Sequence, residues 1–273
     1  MLEFNNVSFS YHKNCPVVSD LSLTVNPGEY IAVVGRNGSG KTTLTRLIMS
    51  LVKPVKGTIL FDGETTKKYA PADMARHIGY VFQNPSRQMF HDTAIEEVAF
   101  GPLQIGISKD DAIKQAKEAL AKVGLNGYET AYPSGLSKGQ KQRLAVASAL
   151  SMAPRLLILD EPTSGQDQQD KALFLTLLDH LHQKGLAIIL ITHDMNILAE
   201  KVARTIVMCD GTKVYDGSTA NLFQFHDVEK WGLKKPTAVT ISHKLSPYGV
   251  SFSPTVDGLI AEFKANERGA VGV

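Results

Sequence analysis

The stretch that most constrains this chain is Tyr30-Ile31-Ala32-Val33-Val34-Gly35-Arg36-Asn37-Gly38-Ser39-Gly40-Lys41-Thr42-Thr43. A short β-branched, apolar run feeds a glycine-rich loop, and Lys41 opens a helical run through Leu44 to Ile48. This is the pattern G-x-x-x-x-G-K-[ST] in the strand–loop–helix context that it needs. Gly35, Gly38 and Gly40 let the backbone turn tightly, so that its N–H groups form a concave nest for anionic oxygens. Arg36, Asn37 and Ser39 supply the rest of that loop. The helix beginning near Lys41 aims the positive end of its dipole at the same point. Lys41 reaches the β- and γ-phosphates as a point charge, Thr42 is placed to ligate Mg²⁺, and Thr43 follows in the same turn. The stretch implies a nucleoside triphosphate site.

Composition bounds the rest. A chain of 273 residues holds one large domain or two modest ones, and 43% hydrophobic with 21% charged residues is ordinary for a globular protein. A formal charge of +2 gives no argument for broad binding to nucleic acid or to anionic lipid. Two cysteines, Cys15 and Cys209, make neither a disulfide framework nor a metal cluster, which fits a reducing cytosol. The N-terminus lacks the basic start and apolar core of a signal peptide, and no apolar run approaches the ~18 residues that span a bilayer. Any membrane role is therefore expected to come through a partner.

Along the chain, Leu2 to Tyr11 reads as a strand near a sheet edge, with Phe4, Val7 and Phe9 facing inward. Leu21 to Val25, Gly57 to Phe61 and Ile78 to Gln83 read as further strands, the second ending in an Asp62-Gly63 turn. From about Asp92 to Met152 the character is helical. One helix is expected to stop at Gly101-Pro102, a second to run from a Ser108 cap to Val123, and a third to follow Gly139. Alternation then returns: strand Arg155 to Asp160, helix Asp167 to Lys184, strand Leu186 to Thr192, helix Met195 to Val202. A hairpin is expected about Asp210-Gly211, then a last short helix from Ser218 to Phe223. From Gln224 onward scattered Pro, Gly, Ser and Thr suggest a loop-rich tail.

Two further stretches carry chemistry. Leu156-Leu157-Ile158-Leu159-Asp160-Glu161 is a buried strand ending in two carboxylates. Asp160 suits the Mg²⁺ shell, and Glu161 suits orientation and partial deprotonation of an attacking water. Leu136-Ser137-Lys138-Gly139-Gln140 places Ser137 and the following N–H groups at a helix N-terminus, a second ready-made anion cradle. One pocket rarely needs two γ-phosphate cradles, and a two-fold dimer, in which each subunit covers the other's nucleotide, resolves the duplication. From spacing alone, a capped helix with Lys141 and Arg143 in solvent explains this stretch better.

Together the glycine loop, Leu-Ser-x-Gly-Gln and Leu-Leu-Ile-Leu-Asp-Glu-Pro-Thr resemble the ATP-binding cassette (ABC) ATPases over about residues 1 to 225. The resemblance implies an α/β fold: a P-loop NTPase core of ABC type, an antiparallel β subdomain, a helical subdomain at about 92–152, and an extension at 226–273. It implies that Tyr11 stacks on adenine, and that Gln83 contacts Mg²⁺ or the attacking water. It implies that Ser137, Gly139 and Gln140 bind the partner's ATP, and that His193 bonds the γ-phosphate beside the catalytic Glu161. Lys41 is then catalytic as well as nucleotide-binding, and Mg²⁺ is held by Thr42, Gln83 and Asp160.

Val81 to Pro85, Gln88 and Glu96 to Pro102 narrow the likeness to the ATPases of energy-coupling factor transporters, including the cobalt-type branch. These import vitamins and transition-metal ions in prokaryotes. Their ATPases pair as homo- or heterodimers at the cytoplasmic face of the membrane. The pair docks on a transmembrane coupling protein that carries a separate substrate-binding membrane subunit. ABC importers or exporters of other kinds share the main motifs, while a soluble ABC ATPase acting on DNA or ribosomes fits less well, since the chain lacks a basic arm or coiled-coil insertion. Two positions depart from the family pattern. Lys138 stands where Gly is usual and Gln166 where Leu is usual. A left-handed backbone at Lys138 would cost about 1 kcal/mol or more, and turnover at that surface is expected to be altered.

Overall fold

The computed structural model describes residues 1–13 and 15–270. The chain begins with β1 (Leu2–His12), β2 (Cys15–Val25) and β3 (Tyr30–Val34), and α1 (Lys41–Ile48) follows the glycine loop. Next come β4 (Lys56–Phe61), β5 (Glu64–Thr65), α2 (Pro71–Ala75) and β6 (Ile78–Val81). Helices α3 (Ala94–Gln104), α4 (Lys109–Lys122) and α5 (Lys138–Leu150) lead into β7 (Leu156–Asp160), α6 (Gln168–Gln183) and β8 (Ala187–Ile191). The remainder is α7 (Met195–Lys201), β9 (Arg204–Cys209), β10 (Thr212–Ser218), α8 (Thr219–Phe225), α9 (Thr237–Leu245) and α10 (Val256–Ala270). Residue contacts divide the chain into two units. The first holds Met1–Tyr30 and Thr42–Ile191, the second Ile31–Lys41 and the described residues from Thr192 onward.

In the first unit an antiparallel sheet runs in the order β2-β1-β4-β5. β1 is thus interior, paired on both sides, and not near an edge as its sequence suggests. Its polar Asn5-Asn6 pair interrupts the apolar pattern because the strand is irregular there. Asn6 sits at φ 50°, between shifts of register, so that Phe4 and Val7, three residues apart, are both buried. Gly57 on β4 accommodates the bulge: a Cβ there would run into the carbonyls of Asn5 and Asn6. β4 and β5 join through Asp62 (φ 52°) and Gly63 (φ 80°), the two left-handed residues of a tight hairpin.

The same unit holds three parallel strands in the order β8-β7-β6. Leu156 to Leu159 and Ala187 to Ile191 are all buried, as expected of strands covered on both faces. α4 is capped by Ser108, whose Oγ accepts from Asp111 N, and Gly124 (φ 70°) follows its end, both as the sequence suggests. α3 differs from expectation, running on through Gly101-Pro102 to Gln104. Pro102 is buried, and Ile105 closes the helix by donating back to the carbonyls of Gly101 and Pro102. Packing there outweighs the one hydrogen bond that proline cannot make.

In the second unit β3 pairs in parallel with β9, and β9 and β10 form the expected hairpin about Asp210 and Gly211. The C-terminal stretch carries two helices where composition suggests loops, so α8 is not the last helix. α9 has no side-chain N-cap and buries only Ala238, Val239 and Ser242, which is why its pattern is weak. Tertiary bonds hold it: Thr237 N donates to Asn196 Oδ1 (3.1 Å), and Ser242 Oγ donates to the Ser253 carbonyl (3.3 Å). No described helix of the chain is long and apolar enough to cross a membrane.

Asp216 on β10 accepts hydrogen bonds from Arg204 Nε (2.8 Å), Arg204 Nη2 (3.0 Å) and Lys213 Nζ (2.9 Å). Burial pushes its carboxyl up, but Arg204 and Lys213 outweigh that and hold it below the usual range. A depressed carboxyl contributes stability above its unfolded value, about 4, and loses it as pH falls through the folded value. Asp216→Asn is therefore expected to cost about 1–3 kcal/mol at neutral pH in urea unfolding. The gap should narrow below pH about 4, and an equal gap under both conditions would refute the linkage.

Candidate functional site

The phosphate-loop half lies in the second unit. β3 is buried along its length and delivers Gly35 at φ 153°. A Cβ on Gly35 would run into the Met208 carbonyl of β9 and the Ser39 hydroxyl, so only glycine permits this approach. Gly38 (φ 81°) and Gly40 (φ 102°) complete the left-handed turns that the motif requires. Ser39 N donates to the Arg36 carbonyl (3.1 Å), and the Ser39 carbonyl accepts from Gly211 N (3.2 Å), which ties the loop to the β9–β10 turn. Lys41 Nζ donates across the loop to the carbonyls of Gly35 (2.7 Å) and Arg36 (2.8 Å). Ser39 is 3% exposed, yet its Oγ has no hydrogen-bond partner among the described residues. A buried hydroxyl in a loop of inward N–H groups fits an anionic ligand that supplies the missing acceptor. Asn37 and Arg36 are exposed, and so is His193, which precedes the Asp194 cap of α7.

The carboxylate half lies in the first unit. Asp160 ends β7 in register with Ile191, and Glu161 N donates to the Ile191 carbonyl (2.9 Å). Glu161 has φ 49°, a left-handed backbone that side chains other than glycine adopt at a cost. Sequence reasoning missed Tyr80. Its hydroxyl donates to Asp160 Oδ2 (3.3 Å) and lies 3.3 Å from Thr45 Oγ1 on α1. Burial, reinforced by the Asp160 charge, pushes the Tyr80 phenol up to about 12, so it stays a donor that fixes the carboxylate. A tyrosine one residue before a strand end leaves no recognisable sequence signal. Thr42 is in the first turn of α1, where its carbonyl accepts from Thr45 Oγ1 (2.9 Å).

Thr43 Oγ1 lies 3.4 Å from the Tyr11 hydroxyl, which also accepts from Arg46 Nη1 (2.9 Å). Tyr11 thus sits against α1, its ring edge-on to Phe9 and 45% exposed. Ser137 Oγ accepts from Gln140 N (3.2 Å), and Gln140 Oε1 accepts from Ser137 N (2.9 Å). This reciprocal cap leaves the Ser137 hydroxyl hydrogen to donate elsewhere. A Cβ on Gly139 would run into the Asp170 carboxylate of α6, which explains glycine at that position. Lys138 is the first residue of α5 and has no positive φ, so the cost that a left-handed backbone would carry there does not arise. Gln83 is exposed and lines a cleft together with Lys138 and Ser164.

Hard oxygen donors at Asp160 and Thr42, with the Gln83 amide oxygen, suit Mg²⁺. Among the described residues no cluster of three His, Cys, Asp or Glu could hold a metal alone.

Comparison with known proteins gives the family. Residues 18–164 match the family model for the ABC transporter. A putative ABC transporter ATP-binding protein of Pyrococcus horikoshii is 40% identical over 95% of this chain and 98% of its own length. An energy-coupling factor transporter ATP-binding protein of Methanothermobacter thermautotrophicus is 33% identical over 91% of this chain and 81% of its own. Among solved structures, CbiO1 from Clostridium perfringens, part of the ABC transporter complex CbiONQ, superposes with TM-score 0.78 at 29% identity, covering 91% and 96% of the two chains.

The Glu161 backbone can be tested directly. Glu161→Gly should be more stable than Glu161→Ala by roughly 0.5–1 kcal/mol. The left-handed strain released is about 1–2 kcal/mol, less the ~0.4–1 kcal/mol of unfolded-state entropy that glycine adds. Alanine proving as stable as glycine in urea unfolding would contradict a strained Glu161.

Proposed function

Because the chain belongs to the ABC transporter ATP-binding family, whose members couple ATP hydrolysis to transport, we propose that it powers an energy-coupling factor type importer. Its partners would be a second ATPase subunit, a transmembrane coupling protein and a substrate-binding membrane subunit, with the chain peripheral on the cytoplasmic face. The ATPase activity is carried by one observation: a buried strand that ends in Asp160 and a strained Glu161. Support for the narrower assignment comes from the named relatives and from the loop after β6. Gln88 Nε2 donates to the Tyr80 carbonyl (3.1 Å), and buried Glu97 accepts from Phe90 N (2.9 Å) and His91 N (3.0 Å). Those two side chains, both in the stretches resembling energy-coupling ATPases, fasten the segment that follows Gln83. We take residues 1–225 as the ATPase domain and 226–273 as its extension.

In the proposed mechanism the N–H groups from Gly35 to Thr43 hold the phosphates, and Lys41 offsets their charge. Asp160, Thr42 and Gln83 would hold Mg²⁺, which when bound neutralises charge building on the leaving phosphate. Glu161 orients a water in line and accepts its proton, while His193 donates to the γ-phosphate. Tyr11 stacks on the base. Ser137, Gly139 and Gln140 act on the nucleotide of a second copy, so two incomplete sites become competent on pairing. Differential affinity for ATP over ADP then drives closing and opening.

Glu161→Gln should keep ATP binding but lose turnover by about 10²-fold or more, and accumulate as an ATP-bound dimer in sizing chromatography. Hydrolysis at the parental rate would remove Glu161 from the mechanism. Affinity purification from membranes should recover a multi-span coupling protein, whereas co-purifying ribosomes or DNA would defeat the importer reading.

A further inference from the structure

Within the second unit the C-terminal extension meets the phosphate loop at one residue. A 3-10 turn, Val228–Trp231, follows α8, and Gly232 closes it at φ 70°, its N–H on the Glu229 carbonyl (2.8 Å). Core contacts fix this turn: Val228 and Leu233 are buried, and Leu233 N donates to the Val228 carbonyl (3.2 Å). Trp231, the single tryptophan of the chain, lies 5.7 Å from the His226 ring, which lies 4.8 Å from Tyr215 of β10. Over Gly232 runs the side chain of Arg36, whose Cγ, Cδ and Nε stand where a Cβ on Gly232 would have to go.

Backbone conformation alone does not demand glycine at this position. Asn6, Asp62 and Asp210 all adopt positive φ in this chain, and Gly249, another left-handed glycine of the extension, has open space at its Cβ position. The Arg36 stem is what excludes a side chain at Gly232. On its other side Arg36 belongs to the loop machinery, because its carbonyl and that of Gly35 accept from Lys41 Nζ. A phosphate in the loop competes for that ammonium and wins, since a charged acceptor bonds more strongly than a neutral carbonyl. The two carbonyls then lose Lys41, while the contact over Gly232 still holds the Arg36 side chain.

We propose that Gly232 is a positioning residue of the nucleotide site: it seats Arg36, and through Arg36 the extension sets how tightly the loop holds a nucleoside di- or triphosphate. The coupling is reciprocal, so nucleotide in the loop alters the surroundings of Trp231. This part rests on the reading of Gly35 to Lys41 as a phosphate loop and needs no subunit pairing.

The full chain is titrated with ADP and Mg²⁺, with binding read by calorimetry and Trp231 by its emission. The emission should change in step with the heat. Gly232→Ala, whose Cβ displaces the Arg36 stem, should weaken binding roughly fivefold or more and remove the emission change. Gly249→Ala carries the same left-handed backbone without Arg36 above it and should lose stability in urea but keep its affinity. Adding Gly232→Ala to Arg36→Ala should cost no further affinity, as expected when both remove one shared contact. Should Gly232→Ala fail to fold, Arg36→Ala decides, since it must abolish an emission change that Arg36→Met, with its unbranched stem, retains. Equal affinity losses in Gly232→Ala and Gly249→Ala, additive losses with Arg36→Ala, or a Trp231 emission indifferent to bound ADP would each overturn the positioning role alone. Absence of any binding heat in the parent chain would instead defeat the phosphate-loop reading, and the positioning role with it.

Discussion

The placement of Asp160 and Glu161 depends on the burial of one strand. Leu156, Leu157, Ile158 and Leu159 are fully enclosed, with β6 on one side and β8 on the other. A strand covered on both faces must pair every backbone group and pack every side chain, so its position is set by the core and by nothing outside it. The first polar residue, Asp160, marks where that enclosure ends. Glu161 bonds back to Ile191 before the chain turns, and this bond to β8 holds its left-handed backbone. Two carboxylates are thus aimed by apolar packing that touches no ligand.

Local capping chemistry recurs through the chain and does different work in different surroundings. Thr93 with Glu96 and Ser137 with Gln140 form the same reciprocal cap, and Ser108, Asp167 and Asp194 cap their helices singly. At Thr93 the cap simply starts a helix. At Ser137 the neighbours differ: Asp170 against Gly139, and Lys138 reaching over Gly165. A motif is therefore read by its context. The same holds for Glu97, a carboxylate inside the helical region that would look misplaced but for the two backbone N–H groups it accepts from the loop.

Much of the fold was legible in order and type. The glycine loop, the β7 carboxylates, the Asp62-Gly63 and Asp210-Gly211 turns and the Ser108 and Ser137 caps each have a local cause, with only neighbouring residues needed to read it. Errors arose where a distant contact overruled the local preference. β1 looked like an edge strand because exposed, polar Asn5 and Asn6 sit in an irregular stretch of a strand that is nevertheless paired on both sides. α3 ran past Gly101-Pro102 because Pro102 is buried, and the tail folded into helices held by bonds from Asn196 and Ser253.

What the sequence by itself determined was the local pattern: a glycine loop, an aspartate and a glutamate at the end of an apolar strand, and a capped helix, each encoded within a few consecutive residues. Only the tertiary structure decided what stands beside them. Tyr80 on Asp160, Arg46 on Tyr11 and Arg36 on Gly232 join residues from separate elements. No local pattern encodes such neighbours, because side chains on separate elements meet only after the core has packed and set the distances between those elements.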